Sequence, residues 1–402
     1  MSSFHQKIGY FYFLVLTIVI LVTGCSGTIY FPTPLPGPST TNTPTPSIGP
    51  SAIPTPSIEP SATPSLPVHN STQGTFFSLI QNAINASSPG DIIIVSPGTY
   101  FENIDFIGKN ITVRSTNPSD SGTVASTIID GNHTGAVVSF QNGETSAAVL
   151  QGFTIINGSG FFHLGLTYLG GGIWCYSSSP TISNNIIRDN NAVGGGGIYC
   201  YSSSPVITNN TIYNNSSSGN GGGIECDMYS SPTITNNTVN NNSATEDGGG
   251  IWCYSSSPTI NNNIINNNAS NIAGGIYCDM YSSAIISGNT INNNRATNNG
   301  GGIYCSLSSP TITNNTISGN SASKGGGIMS YSTPTIAGNT LSSNGATQQG
   351  GGIFVSNASN VKDSYGNTWP RSNVPPNTEL NNTYSGNTHQ GGHTTGADVY
   401  FE

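Results

Sequence analysis

Glu225 and Asp227 stand two residues apart in the tetrapeptide IECD, and Asp279 closes the similar tetrapeptide IYCD further on. On a β-strand, residues two apart face the same side, which puts the Cα atoms of Glu225 and Asp227 ~6.7 Å apart. Carboxylates about 6.5 to 9.5 Å apart suit inverting glycoside hydrolysis, one as general acid and the other as general base. Glu225 and Asp227 are therefore the candidate catalytic pair. Aromatic residues fill the same positions elsewhere: Trp174, Tyr199, Trp252, Tyr277 and Tyr304 match Glu225, while Tyr176, Tyr201 and Tyr254 match Asp227 and Asp279. Sugar rings stack their apolar faces on exposed aromatics, so this stripe, with Asp279, is a candidate polysaccharide-binding platform. The competing reading is a ladder of cross-strand aromatic pairs that only stabilises a sheet. Glu246 and Asp247, before Gly248, would add negative charge or a weak calcium site, and no other cofactor is suggested.

Two further groups have metal-binding or redox chemistry within their reach. Cys175, Cys200, Cys226, Cys253, Cys278 and Cys305 each follow an isoleucine by two residues, so they share its face and point inward. Inert core filling is the first reading of such a column. Disulfides fit poorly between parallel side chains, and a flat stack of thiols lacks tetrahedral convergence for a metal. His389 and His393 are four apart, but glycines between them argue against the helix that would bring both to one ion. No metal site is assigned. His163, Asp130 and Asp189 read as structural.

The elements that must carry these residues follow from a repeat. The isoleucines of the GGI motifs, Ile173, Ile198, Ile224, Ile251, Ile276, Ile303, Ile328 and Ile353, recur every 25 to 27 residues. A second apolar position follows Pro-Thr (Ile182, Ile207, Ile234, Ile260, Ile312), and a third follows paired asparagines (Ile187, Ile212, Val239, Ile265, Ile291). Another asparagine closes each unit, from Asn190 to Asn344. Glycine, asparagine, serine and threonine leave no room for a helix of three turns, whereas β-branched residues and alternation predict three short strands per unit. That is one coil of a single-stranded parallel β-helix, an all-β solenoid in which asparagines take left-handed turns and hydrogen-bond between coils. From Asp91 to Val355 about 10 to 11 coils are expected, in a rod roughly 50 Å long. Upstream, Phe76, Ile80, Ala83 and Ile84 fall on one helical face, with Thr75 as N-cap, and predict a helix that caps the N-terminal end.

Composition agrees. Of 402 residues only 6% are charged and 34% hydrophobic, with a net charge of −9. Such a chain would be disordered without its period. Like charges stacked ~5 Å apart would repel along a solenoid, which accounts for their scarcity. No basic patch exists, which argues against nucleic acid as a partner.

The N-terminus adds an address. Lys7 precedes the apolar run Ile8 to Val22, and LVTGC ends at Cys25. This resembles a prokaryotic lipobox, which implies lipidation of Cys25, a membrane anchor and an extracytoplasmic protein. A plain signal peptide or an uncleaved anchor are the other readings. Proline-rich sequence from Phe31 to about Pro67 reads as a polyproline II stalk, ~100 Å when extended. The organisation expected is residues 1–25 signal, 26–74 linker, 75–355 β-helix and 356–402 a final coil or cap, as a monomer.

The segment IQNAINASSPGDIIIVSPGTYFENIDFIGKNITVRS, followed by GGGI and NNTI units, resembles the right-handed parallel β-helix proteins of the pectin-lyase-like superfamily. The resemblance implies the fold over roughly residues 75–355. It spans lyases, hydrolases, esterases and non-enzymatic surface proteins, so it does not choose an activity. The acid, glycine–histidine and arginine–lysine motifs of polygalacturonases are missing, as are the glutamine and aspartate motifs of pectin methylesterases. Pectate lyases imply a catalytic arginine, and the repeats offer only Arg188, Arg295 and Lys324 as bases. The GG-x-I units also resemble repeats of polymorphic outer-membrane adhesins. Three readings stand: a surface protein that recognises glycans, a polysaccharide lyase or glycoside hydrolase, and a non-catalytic adhesin.

Overall fold

The computed structural model describes residues 66–163, 167–332 and 334–355, with short stretches at 361–362, 368–369, 382–389 and 399–401. The lipobox with Cys25, the proline-rich segment up to residue 65, and His393 lie outside the described residues.

Each coil contributes a strand to parallel sheets that run the length of the repeat. In one coil these strands are Ile173–Tyr176, Thr181–Ser183, Ile186–Arg188 and Asn191–Ala192. The next coil starts at Ile198–Tyr201 and pairs in strict register, Ile173 with Ile198 and Cys175 with Cys200. The cysteine-bearing sheet has 11 strands, in line with the expected coil number. Four strands per coil, rather than three, is a correction. The extra pair lies between the last asparagine and the glycines, in a stretch too short for alternation to be visible. Ala192, Ala244, Ala296 and Ala322 of these short strands are buried.

The core is a set of columns, each made of one residue type. The GGI isoleucines, Ile182 with its counterparts, and Ile187 with its counterparts are fully buried through the middle coils. Burying one such side chain is worth about 1.5–3 kcal/mol. The six cysteines fill the same core, all free and fully buried. Burial pushes the Cys305 thiol well up, which favours its protonated form.

Asparagines close the corners. Asn263 donates through Nδ2 to the Ile234 carbonyl at 2.8 Å and to Asn289 Oδ1 at 3.0 Å, and its own Oδ1 accepts from the Asn237 backbone N–H at 2.8 Å. The link from one side-chain amide to the next runs through that column from Asn185 to Asn382, and a second column runs from Asn190 to Asn387. Asn262, before Asn263, has φ +55°, a left-handed angle that asparagine tolerates.

The N-terminal helix is shorter than the sequence pattern predicts. It runs Ile80–Ala86, with Ile80, Ala83 and Ile84 buried. Thr75 and Phe76 belong instead to a strand, Thr75–Phe77, which pairs antiparallel with Val68–Asn70. Thr75 is therefore no N-cap. The Glu102 carboxylate takes that role from another strand, accepting from the Ile80 and Gln81 N–H groups at 2.8 and 2.9 Å. At the other end, Thr383–Ser385 and Val399–Phe401 add strands to the sheets of Thr340–Ser342 and Ile353–Val355.

Asn263→Ala leaves the Ile234 carbonyl and the Asn237 N–H of the preceding coil without their partner and breaks the side-chain link to Asn289 of the following one. We expect a loss of about 3 kcal/mol, measured by urea unfolding, whereas Asn261→Ala, at the more exposed neighbouring position, should cost far less.

Candidate functional site

The cysteine-bearing sheet turns two columns away from the core, and they differ sharply in access. The first holds Trp174, Tyr199, Glu225, Trp252, Tyr277, Tyr304, Met329 and Phe354. These residues do face away from the isoleucines and cysteines, but they are not exposed. Trp174 is 0% accessible, Trp252 8% and Tyr304 6%. The expectation of an open aromatic stripe at Trp174, Tyr199, Trp252, Tyr277 and Tyr304 is therefore corrected. They form two small outer cores. Trp174 and Tyr199 pack with Ala136, Phe161 and Leu169, and Trp252, Tyr277 and Tyr304 pack with Ala273, Met329 and Phe354.

The glycine that opens each triplet is the cause. Gly195, Gly248 and Gly300 have φ between +59° and +65°, which folds the incoming chain back over the outer side chain. A Cβ on Gly195 would sit 2.7 Å from Tyr199 Cβ, and one on Gly248 2.7 Å from Trp252 Cβ. Only glycine satisfies both the angle and the approach. The signal was present in the sequence, in the pairing of each glycine with an aromatic four residues on.

The second column is the accessible one. Tyr176, Tyr201, Asp227, Tyr254, Asp279 and Ser306 are all half-buried. Tyr176 and Tyr201 stack with centroids 5.4 Å apart and an interplanar angle of 14°, and Tyr254 stacks on Trp252 at 5.3 Å. Where an aspartate takes the column position, a tyrosine follows two residues later at the corner. Tyr229 and Tyr281 are each 81% exposed, the most open large hydrophobic side chains among the described residues. Sequence reasoning passed over both, although the lengthened units that begin at Ile224 and Ile276 mark them.

The acids divide in the same way. Glu225 is 4% exposed beneath the Gly194–Gly195 backbone, and its Oε2 has no partner. Burial, then the nearby Asp227, pushes its carboxyl well above the usual carboxylate range. Asp227 accepts a 2.7 Å hydrogen bond from the Tyr199 hydroxyl. Burial raises it too, as it raises Asp279, whose Oδ1 accepts from the Met280 N–H at 2.8 Å. Asp247 is pushed up to about 7 by burial and by Glu246 and Asp279. Glu225 and Asp227 thus share one strand as expected, but Glu225 is sealed and Asp227 is half-buried, with Oδ2 held by Tyr199 and Oδ1 enclosed. In inverting hydrolysis the acid must reach the glycosidic oxygen and the base the attacking water, and Glu225, under backbone, is placed for neither.

The remaining candidates do not converge on this face. Arg188 pairs with Asp189, Lys324 lies over the Phe354 ring at 5.2 Å, and Arg295 sits on the short fourth sheet. Among the described residues no three acid, histidine or cysteine side chains are placed together to hold a metal.

A model of the right-handed β-helix region matches residues 68–237, 115–291 and 272–369, which together span most of the chain. The protein belongs to the right-handed β-helix family. Neither a curated protein nor a solved structure matches it. On the outer face of the cysteine sheet aromatics and carboxylates meet in register, Tyr199 with Glu225, Tyr201 with Asp227 and Tyr254 with Asp279.

Raised carboxyls make a prediction about pH. Asp247 is protonated in both states below its ordinary value of 3.8, and the unfolded chain alone ionises between there and about 7. Its stabilising contribution is therefore complete at pH 4 and lost as pH rises to about 7. Glu225, Asp227 and Asp279 act in the same direction. Melting curves at pH 4 and pH 8 should show the wild type less stable at pH 8, and Asp247→Asn should narrow that gap without closing it.

Proposed function

We propose that this β-helix is a non-catalytic polysaccharide-binding protein, held outside the cytoplasm by a lipid anchor at Cys25. One observation carries the reading: Tyr176, Tyr201 and Tyr254 alternate with Asp227 and Asp279 in a single half-open column. Aromatic faces take the apolar side of a sugar ring, and carboxylates accept from its hydroxyls. Such a pairing of ring and acceptor is how glycan sites are built, and the straight register offers it to a polymer. The buried Trp174, Tyr199, Trp252, Tyr277 and Tyr304 serve here as the bed under that column. The same seal speaks against hydrolysis by Glu225 with Asp227, because no substrate oxygen can approach Glu225.

The test is a glycan array with the whole mature protein, and product analysis alongside. Binding without release of oligosaccharides is expected. Tyr201→Ala and Tyr254→Ala should each weaken it by about tenfold, roughly 1.4 kcal/mol. Oligosaccharides or unsaturated products that disappear in Asp227→Ala would establish an enzyme instead.

A further inference from the structure

Two corners of the solenoid break its repeat in the same way. Most coils turn from the cysteine strand through one left-handed residue, Ser177, Ser202, Ser255 or Leu307. In the coils of Asp227 and Asp279 the corner reads Asp-Met-Tyr-Ser and takes two, Met228 and Tyr229 at φ +43° and +65°, and Met280 and Tyr281 at +44° and +64°. Consecutive left-handed angles are unfavourable for side chains of this size, and strain of this kind persists only where the surroundings impose it. Here they do. The Tyr229 N–H donates to the Ser255 carbonyl at 2.9 Å, and Ser230 Oγ donates to the Asp227 carbonyl at 2.6 Å. Ser282 Oγ binds the Asp279 carbonyl at the same 2.6 Å, and Ser255 Oγ donates to the Met280 carbonyl at 3.0 Å. The product of the strain is a rigid corner that lifts one tyrosine to 81% exposure, built twice.

We infer that Tyr229 and Tyr281 are paired subsites for a neutral, extended β-linked glycan that runs along the solenoid axis. This rests on the glycan reading above and names its ligand class. The two rings are separated by one intervening coil, so they lie about two strand spacings apart, ~9.6 Å. An extended β-linked pyranose chain advances close to one strand spacing per sugar and presents the same face at every second residue. Sugars i and i+2 would then meet Tyr229 and Tyr281, with the sugar between them over the Ser255 corner and Tyr254. Asp279 stands beside the second ring as an acceptor for sugar hydroxyls, while Asp227, its Oδ2 held by the Tyr199 hydroxyl and its Oδ1 enclosed, braces the first corner from below. With Asp247 and Glu246 near the same face, an anionic polymer is repelled. A proline-rich peptide has a similar period but few N–H donors for the carboxylates. Pinned corners lower the ordering cost of binding.

The experiment titrates the mature protein with β-1,4-linked gluco-oligosaccharides of two to six sugars. Affinity should step up on reaching three sugars, the length that spans both rings. Tyr229→Ala and Tyr281→Ala should each remove the step and weaken the six-sugar ligand about tenfold, with unchanged melting temperatures. Tyr→Phe at either site should keep the step. If both alanine variants bind like the wild type, glycan recognition stands through the Tyr201 and Tyr254 column and the paired corner subsites are wrong. If no neutral glycan binds the wild type, or a synthetic proline-rich peptide binds in its place through these tyrosines, both readings fall.

Discussion

Coils stacked in register place every side chain one strand spacing from its own counterpart, and the rest of the structure depends on each column tolerating itself. Isoleucine tolerates itself by packing, and cysteine by being small and neutral. Asparagine does better, because its amide is both donor and acceptor, so each side chain can bind the next in an unbroken chain of bonds. A carboxylate column would repel. The repeats therefore admit acids only singly: Glu225 lies between Tyr199 and Trp252, and Asp227 is followed by Asp279 only after the intervening Tyr254.

The same constraint explains why the sheet has two layers of aromatics. Alternation along the strand assigns Trp174 and Tyr199 to the face opposite the cysteines, and the structure agrees. Alternation carries no information about what returns over that face. The returning chain is a glycine at +59° to +65° with backbone packed against the Cβ atom below. It converts an outward column into a buried one and leaves the next column, two residues further, at the surface. On this sheet the accessible side chains are consequently those at the strand end and at the corner beyond it.

The parts legible in the sequence were those with a long period. Ile173, Cys175, Ile182, Ile187 and Asn190 recur often enough that their spacing alone defines the coil and its inward face. The parts that were not legible are set by contacts between segments. Glu102 caps a helix from another strand, which no local pattern encodes. The short strand Asn191–Ala192 exists because its counterparts in the next coil donate to its carbonyls, Ser216 N–H to Asn190 and Ser218 N–H to Ala192. Tyr229 and Tyr281 fell between these cases. Their unit length is visible in the sequence, but their exposure follows from a corner geometry that spacing does not show.

A repeat protein gains stability from uniformity, and every departure from the consensus forgoes some of it. The two Asp-Met-Tyr-Ser corners replace a compact one-residue turn by two left-handed residues, and they set two carboxyls, pushed up by burial, beneath them. Neither change improves packing: Tyr229 and Tyr281 leave the surface of the sheet, and Asp227 and Asp279 displace tyrosines that stack in other coils, as Tyr176 does on Tyr201. A feature that costs stability twice, at equivalent corners with one ordinary coil between them, has its explanation outside the folded chain. A ligand that spans the two corners supplies one, since it recovers on binding what the strained corners give up on folding.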